Sequence, residues 1–206
     1  MDNTLIIKDR INILIPFIEK PTKTFSLNEI KKELKITSYH YVYETLEELS
    51  KNILIKEKKG NTSLYKLNYE INDFNFLAIA EFTKKEKTKI PYHILNPIIK
   101  KIKSTFYIML ITGSYAKQKQ TKNSDLDVCI IIPEIEKKQY EIALKEGQYV
   151  IPEIHGFVFT ENEFYEMLTN KDFNYGKEVA RNHVIVKGAE QYYKILFEAI
   201  KNGFQG

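Results

Sequence analysis

Two apolar runs, Phe106 to Thr112 (FYIMLIT) and Leu126 to Ile132 (LDVCIII), constrain the fold more than any other part of the chain. Both are dense in β-branched, aromatic and aliphatic residues and bounded by turn residues, so both read as buried strands. Between them lies a polar stretch that opens with Gly113-Ser114 and, after nine further residues, closes with Ser124-Asp125-Leu126-Asp127. On a strand, side chains two apart share a face, so Asp125 and Asp127 project together while Leu126 turns into the core.

Two carboxylates about 6 to 7 Å apart by strand rise suit hard divalent cations, and Mg²⁺ is commonly held by one or two carboxylates together with substrate phosphates. The Gly113-Ser114 turn leads into a short helix predicted around Tyr115 to Gln118. Glycine lets backbone approach a phosphate closely, and free N–H groups at a helix start favour its charge. The pattern points to phosphoryl-transfer chemistry on a nucleotide.

The stretch GSYAKQKQTKNSDLDV resembles the signature of the nucleotidyltransferase superfamily, in the minimal nucleotidyltransferase branch related to polymerase β: G-S, a spacer, then S/T-D-x-D. Gly113, Ser114, Ala116, Lys117, Ser124, Asp125 and Asp127 carry the likeness. It implies that Asp125 and Asp127 hold two Mg²⁺ ions and that Gly113 and Ser114 grip the phosphates of a nucleoside triphosphate. Ser124 belongs to the same nucleotide-binding set, and Lys117 would neutralise phosphate charge. The family also supplies a third carboxylate from a later strand, here predicted over Tyr149 to Thr160 and followed by a helix start at Glu161 to Phe164. Aligned on that helix, the acidic position falls on His155, with Glu153 two residues away on the same predicted face. Either residue can complete the catalytic set, and an imidazole is a poor Mg²⁺ ligand.

Residues 1–68 form a separate pattern. Apolar spacing predicts a helix over Leu5 to Glu19, stopped by Pro21, and Ser26 with Glu29 forms a capping box for a second, running to about Lys35. A third spans Thr37 or Ser38 to Lys51, with Val42, Leu46 and Leu49 on one stripe. Alternating runs Ile53 to Lys58 and Ser63 to Leu67 around Gly60-Asn61 predict a hairpin. Three helices and a hairpin resemble a winged helix-turn-helix. In a DNA-binding version, Ser38, Tyr39, His40 and Tyr41 would enter the major groove, and the wing lysines Lys56, Lys58 and Lys59 would meet phosphates. The third helix also carries Glu44, Glu47 and Glu48, so DNA contact and protein contact both stay open.

Connecting helices are expected over 69–103, the second starting at Asn96-Pro97 and running to about Lys103, and the nucleotidyltransferase domain over 104–206. After the aspartate strand, helices are expected near Lys137 to Glu146, Glu161 to Thr169, Asn174 to Asn182 and Ala189 to Lys201, with a short strand at His183 to Lys187. The whole reads as α/β (α+β): a small mixed-sheet domain with a separate N-terminal helical module.

Composition narrows the partners. The net charge of +4 does not argue for nucleic acid, although residues 71–132 hold ten lysines against five acids, so positive charge gathers before and around the phosphate motif. The lone cysteine, Cys129, excludes an intrachain disulfide. No apolar run approaches the roughly 20 residues that span a bilayer, and the opening MDNTLIIKDR lacks a secretory layout. The chain is expected to be cytoplasmic, with no membrane partner.

The expected reaction moves a nucleoside monophosphate, AMP from ATP, to a hydroxyl on a protein or small molecule. In the resembling branch, acceptors include tyrosines of a partner toxin, in toxin and antitoxin pairs, and aminoglycosides. The alternative is a DNA-binding regulator whose nucleotidyltransferase fold senses a nucleotide or forms a homodimer.

Overall fold

The computed structural model describes residues 10–102, 106–133, 137–145 and 149–206. The expected helix start at Leu5 and the expected helix ends at Lys103 and Glu146 lie outside them. The chain divides into two compact units, residues 1–83 with 205–206, and residues 84–204.

The first unit opens with a helical segment from Arg10 that does not run as one α-helix. Asn12–Leu14 form a 3-10 turn before α1 (Ile15–Glu19). The cause is Pro16. It lacks the N–H that Asn12 would receive in an α-helix, so the Ile15 N–H takes the Asn12 carbonyl instead. A two-residue strand, β1 (Phe25–Ser26), leads into α2 (Leu27–Leu34), where Ser26 and Glu29 form the capping box. α3 (Tyr39–Leu49) is capped by Ser38 and buries Val42, Leu46 and Leu49. β2 (Leu54–Lys59) and β3 (Thr62–Leu67) form the hairpin, with Gly60 at φ 60° in its turn. β1 joins β3 to give the order β1-β3-β2, a third strand too short to show as a sequence period. Phe17, Phe25, Ile30, Leu46 and Tyr65 lie in the buried interior of this unit.

α4 (Asn75–Glu86) crosses the boundary at residue 83. The second unit then has a 3-10 turn (Tyr92–Leu95), α5 (Asn96–Lys101), β4 (Ile108–Ile111), α6 (Gly113–Ala116), β5 (Leu126–Ile132), α7 (Lys137–Lys145), β6 (Ile154–Thr160), α8 (Glu161–Thr169), α9 (Tyr175–Arg181), β7 (Val184–Lys187) and α10 (Ala189–Lys201). The sheet order is β6-β5-β4-β7. β4 pairs antiparallel with β5 and β7, whereas β5 and β6 are parallel, the crossover between them carrying α7.

Alternation along β5 sorts its residues between two layers. Leu126, Val128, Ile130 and Ile132 join Met109, Ile111, Ile98, Tyr140 and Leu144 in one buried cluster. Cys129 and Ile131, also buried, face the other way with Asp127, toward the layer of α8 to α10. Each side of the sheet is thus covered by helices, which explains why β4 and β5 are near-continuous apolar runs.

One prediction needs correction. The strand expected from Tyr149 begins only at Ile154. Pro152 has no N–H to offer a ladder, and Tyr149 and Ile151 are 84% and 93% exposed, so nothing anchors residues 149–153 as strand. Glu153 therefore lies ahead of β6 rather than on it.

Candidate functional site

The start of β5, the end of β4 and the start of β6 meet at one end of the sheet. The Asp127 carbonyl accepts from the Thr112 N–H at 2.9 Å, which brings the Gly113-Ser114 turn beside the aspartates. Gly113 has φ +63°, and a Cβ built there would lie 1.9 Å from Asp127 Oδ2. The carboxylate thus rests directly on bare glycine backbone. Ser114 follows on α6 and is half-buried.

Asp127 faces His155 across the parallel ladder, and His155 Nδ1 lies 3.8 Å from Asp125 Oδ2. The structure therefore brings Asp125, Asp127, Gly113, Ser114 and His155 together. Glu153 is exposed, and its carbonyl accepts from the Leu126 N–H at 2.8 Å. Ser124 is turned into its own loop. Its Oγ accepts from the Thr121 N–H at 2.8 Å and lies 3.2 Å from Thr121 Oγ1. That contact shapes the approach to the aspartates.

Two residues of α9 enter the site unannounced by any motif. Glu178 Oε1 lies 3.1 Å from the Lys117 ammonium, so the expected phosphate lysine already has an anionic partner. Tyr175, one helical turn earlier on the same face, is within 3.2 Å of Thr112 Oγ1 and packs its ring against Phe157 (4.7 Å) and Phe159 (5.9 Å). The helix 174–182 was legible in the sequence. Its site-facing side was not, because nothing local says which face of α9 meets β4 and β5.

The Asp127 carboxylate makes no hydrogen bond or ion pair among the described residues. Burial pushes its carboxyl above the usual aspartate range, with Asp125 and Glu178 adding to the rise and His155 and Lys117 opposing it. A half-buried carboxylate without a partner, beside a second carboxylate, fits a divalent cation that neither His155 nor Lys117 replaces. Among the described residues no group of three or more His, Cys, Asp or Glu stands ready to hold a metal. Burial also raises the Tyr175 hydroxyl and the Cys129 thiol, which keeps both neutral.

In the first unit, the residues named for DNA contact divide. Ser38 Oγ is taken up capping α3, and Tyr41 is half-buried. Lys56 lies 2.6 Å from Glu47, which also accepts from the Tyr65 hydroxyl. Tyr39 remains exposed and stacks on Tyr43 at 6.4 Å, while His40 pairs with Glu44 at 3.1 Å. Lys58 and Lys59 are exposed and make no ion pair among the described residues.

Residues 98–179, from α5 to the middle of α9, match the family model described as "Nucleotidyltransferase domain". The match spans Gly113, both aspartates, His155, Tyr175 and Glu178, and this segment is accordingly similar to nucleotidyltransferase domains. No curated protein matches the chain, and no solved structure does. Among the described residues, no helix is long and apolar enough to cross a membrane.

Proposed function

We propose that the second unit transfers a nucleoside monophosphate, AMP from ATP, to a hydroxyl of a protein or small molecule and releases pyrophosphate. The observation that carries this reading is the Asp127 carboxylate seated on Gly113 beside Asp125, a partly buried anionic pair within a segment similar to nucleotidyltransferase domains. Asp125 and Asp127 would hold Mg²⁺, which when bound supplies charge neutralisation of the triphosphate and acidifies the attacking hydroxyl. The backbone of Gly113 and Ser114 would seat the terminal phosphates. Lys117, exchanging Glu178 for phosphate, would offset part of their charge. His155, half-exposed beside Asp125, would accept the proton of the incoming hydroxyl.

The test is ATP labelled at the α-phosphate, incubated with Mg²⁺ and, separately, with the protein and small-molecule fractions of a cell extract. Pyrophosphate release and label in one fraction, lost in the Asp125→Asn, Asp127→Asn double variant, are expected. Unchanged ATP affinity by calorimetry in that variant, with Mg²⁺ present, would overturn the assignment.

A second reading is favoured by His155, which stands opposite Asp127 where the resemblance calls for a third acid. In it the site binds a nucleotide without turnover, and the first unit, whose helices and hairpin follow the order expected of a winged helix, binds DNA through Tyr39, His40, Lys58 and Lys59. ATP binding without pyrophosphate release, together with salt-dependent DNA retention that weakens in Lys58→Ala, Lys59→Ala, is its signature.

A further inference from the structure

Phe157 is out of place for a structural residue. It stands on the outermost strand of the sheet, β6, yet is 42% exposed, while its neighbours Ile154 and Val158 on the other face are buried. It shares its face with His155, two residues earlier, so its ring lies about 7 Å along the strand from the candidate site. One side of the ring is backed by Tyr175 at 4.7 Å. Tyr175 is itself tied to Thr112, the residue before Gly113, and flanked by Phe159. Phe157 is thus held in place from behind and left open in front.

The space in front is a groove of about 470 Å³ along the free edge of β6, lined by His155, Gly156, Phe157 and Phe159 and by Leu144 and Lys145 of α7. The Leu126 N–H bonds to the Glu153 carbonyl, so β6 offers β5 the backbone groups of residues 153, 155 and 157. Those of Ile154, Gly156 and Val158 point outward. Gly156 is exposed, as a free edge requires. The groove therefore combines a fixed aromatic surface with N–H and C=O groups that no described residue pairs, and it is continuous with the aspartate site through His155.

We infer that Phe157 is the stacking surface for the base of the nucleotide whose phosphates the aspartate site takes. The inference rests on the nucleotidyltransfer reading and adds its base-binding part. A flat heterocycle meets an exposed aromatic face by stacking, which is tolerant of base identity, and the outward backbone groups of β6 can bond its polar edge. Phe157 would contribute to affinity for the whole nucleotide and nothing to affinity for its phosphates alone.

The chain has no tryptophan, so Phe157→Trp places a single indole reporter in the groove. Its fluorescence is expected to be quenched by ATP with Mg²⁺ and unaffected by pyrophosphate with Mg²⁺. In parallel, calorimetry on Phe157→Ala should show ATP binding weakened about tenfold, within the range for loss of one stacked base, with pyrophosphate affinity unchanged. Retained pyrophosphate binding also certifies that the variant is folded. If Phe157→Ala binds ATP as tightly as wild type, or if ATP leaves the tryptophan signal unchanged while binding by calorimetry, the base lies elsewhere and the inference fails. If wild type binds neither ATP nor pyrophosphate, the nucleotidyltransfer reading fails and takes the base site with it.

Discussion

Asp127 on β5 and His155 on β6 are paired across a parallel ladder, with His155 Nδ1 reaching to 3.8 Å from Asp125. Position 155 is therefore where a side chain can join the two aspartates without any movement of the backbone. Asp at 155 keeps the same outward direction in a shorter side chain. His155→Asp should raise Mg²⁺-dependent pyrophosphate release about tenfold, a barrier change of about 1.4 kcal/mol. Glu153→Gln should leave the rate within about twofold, because that side chain is exposed and ahead of β6. Steady-state rates of the two variants check both statements. A large loss in Glu153→Gln would mean that this acid swings in during turnover.

Gly113 should tolerate no substitution. Even alanine would collide with the Asp127 carboxylate and would have to hold a left-handed backbone angle. Relief requires Asp127 or the turn to move by an ångström or more, a displacement that costs on the order of 100-fold in rate. Gly113→Ala should therefore lose transfer activity by about that factor while its far-UV circular dichroism stays that of wild type.

Asp127→Asn should separate stability from function. The Asp127 carboxyl titrates higher in the folded chain than in the unfolded one, chiefly through burial. Its contribution to stability is then fully present below the ordinary aspartate value and is lost as pH rises through the folded value. At pH 7.5 the charged carboxylate opposes folding and the amide does not. Asp127→Asn should raise Tm by about 1 to 2 °C there and leave it unchanged at pH 3, while metal-dependent nucleotide binding disappears. Calorimetric melts at the two pH values provide the comparison.

His183 gives the second unit an acid-sensitive core. It is 4% exposed, its Nδ1 lies 2.9 Å from the Val179 carbonyl, to which it donates, and its ring packs on Tyr192 at 4.6 Å. Burial, aided by Lys84 and opposed by the bond to Val179, pushes its pKa down to about 3. For a group depressed in this way, stability is present above the unfolded value near 6.5 and is lost as pH falls toward about 3. The urea midpoint of wild type should fall between pH 7 and pH 4, and it should fall less in His183→Phe, whatever that variant's absolute stability.

Much of the fold could be read from residue order alone, for identifiable reasons. β5 spans the residues that its apolar density marks, and α8 spans the expected Glu161 to Thr169. The Gly60-Asn61 turn and the Ser26 to Glu29 box likewise stand where expected in the first unit. What escaped depends on partners distant in sequence. β1 is two residues long and exists only because β3 accepts it. Glu178 and Tyr175 reach the site from a helix more than fifty residues beyond Lys117 and Thr112. The Pro152 segment carries enough β-branched and aromatic neighbours to look like strand, and the missing N–H decides otherwise. The members of the GSx9SDxD motif lie together at one end of the sheet, but the engagement of Ser124 with Thr121 and of Lys117 with Glu178 required coordinates.

The two-faced character of β5 has a bearing on how the chain folds as well as on what it does. Its carboxylate lies on one face and Leu126, Val128 and Ile130 on the other, and β4 and β6 hold it from opposite sides in opposite senses. A slip of one residue against either neighbour would drive Asp127 into the apolar cluster and expel those side chains. Misregistered molecules are thereby penalised twice, and those that persist carry an aspartate pair out of line with Gly113 and His155. In a refolded preparation, the fraction of molecules that bind nucleotide with Mg²⁺ would thus count correctly threaded sheets, a quantity that secondary-structure content alone does not resolve.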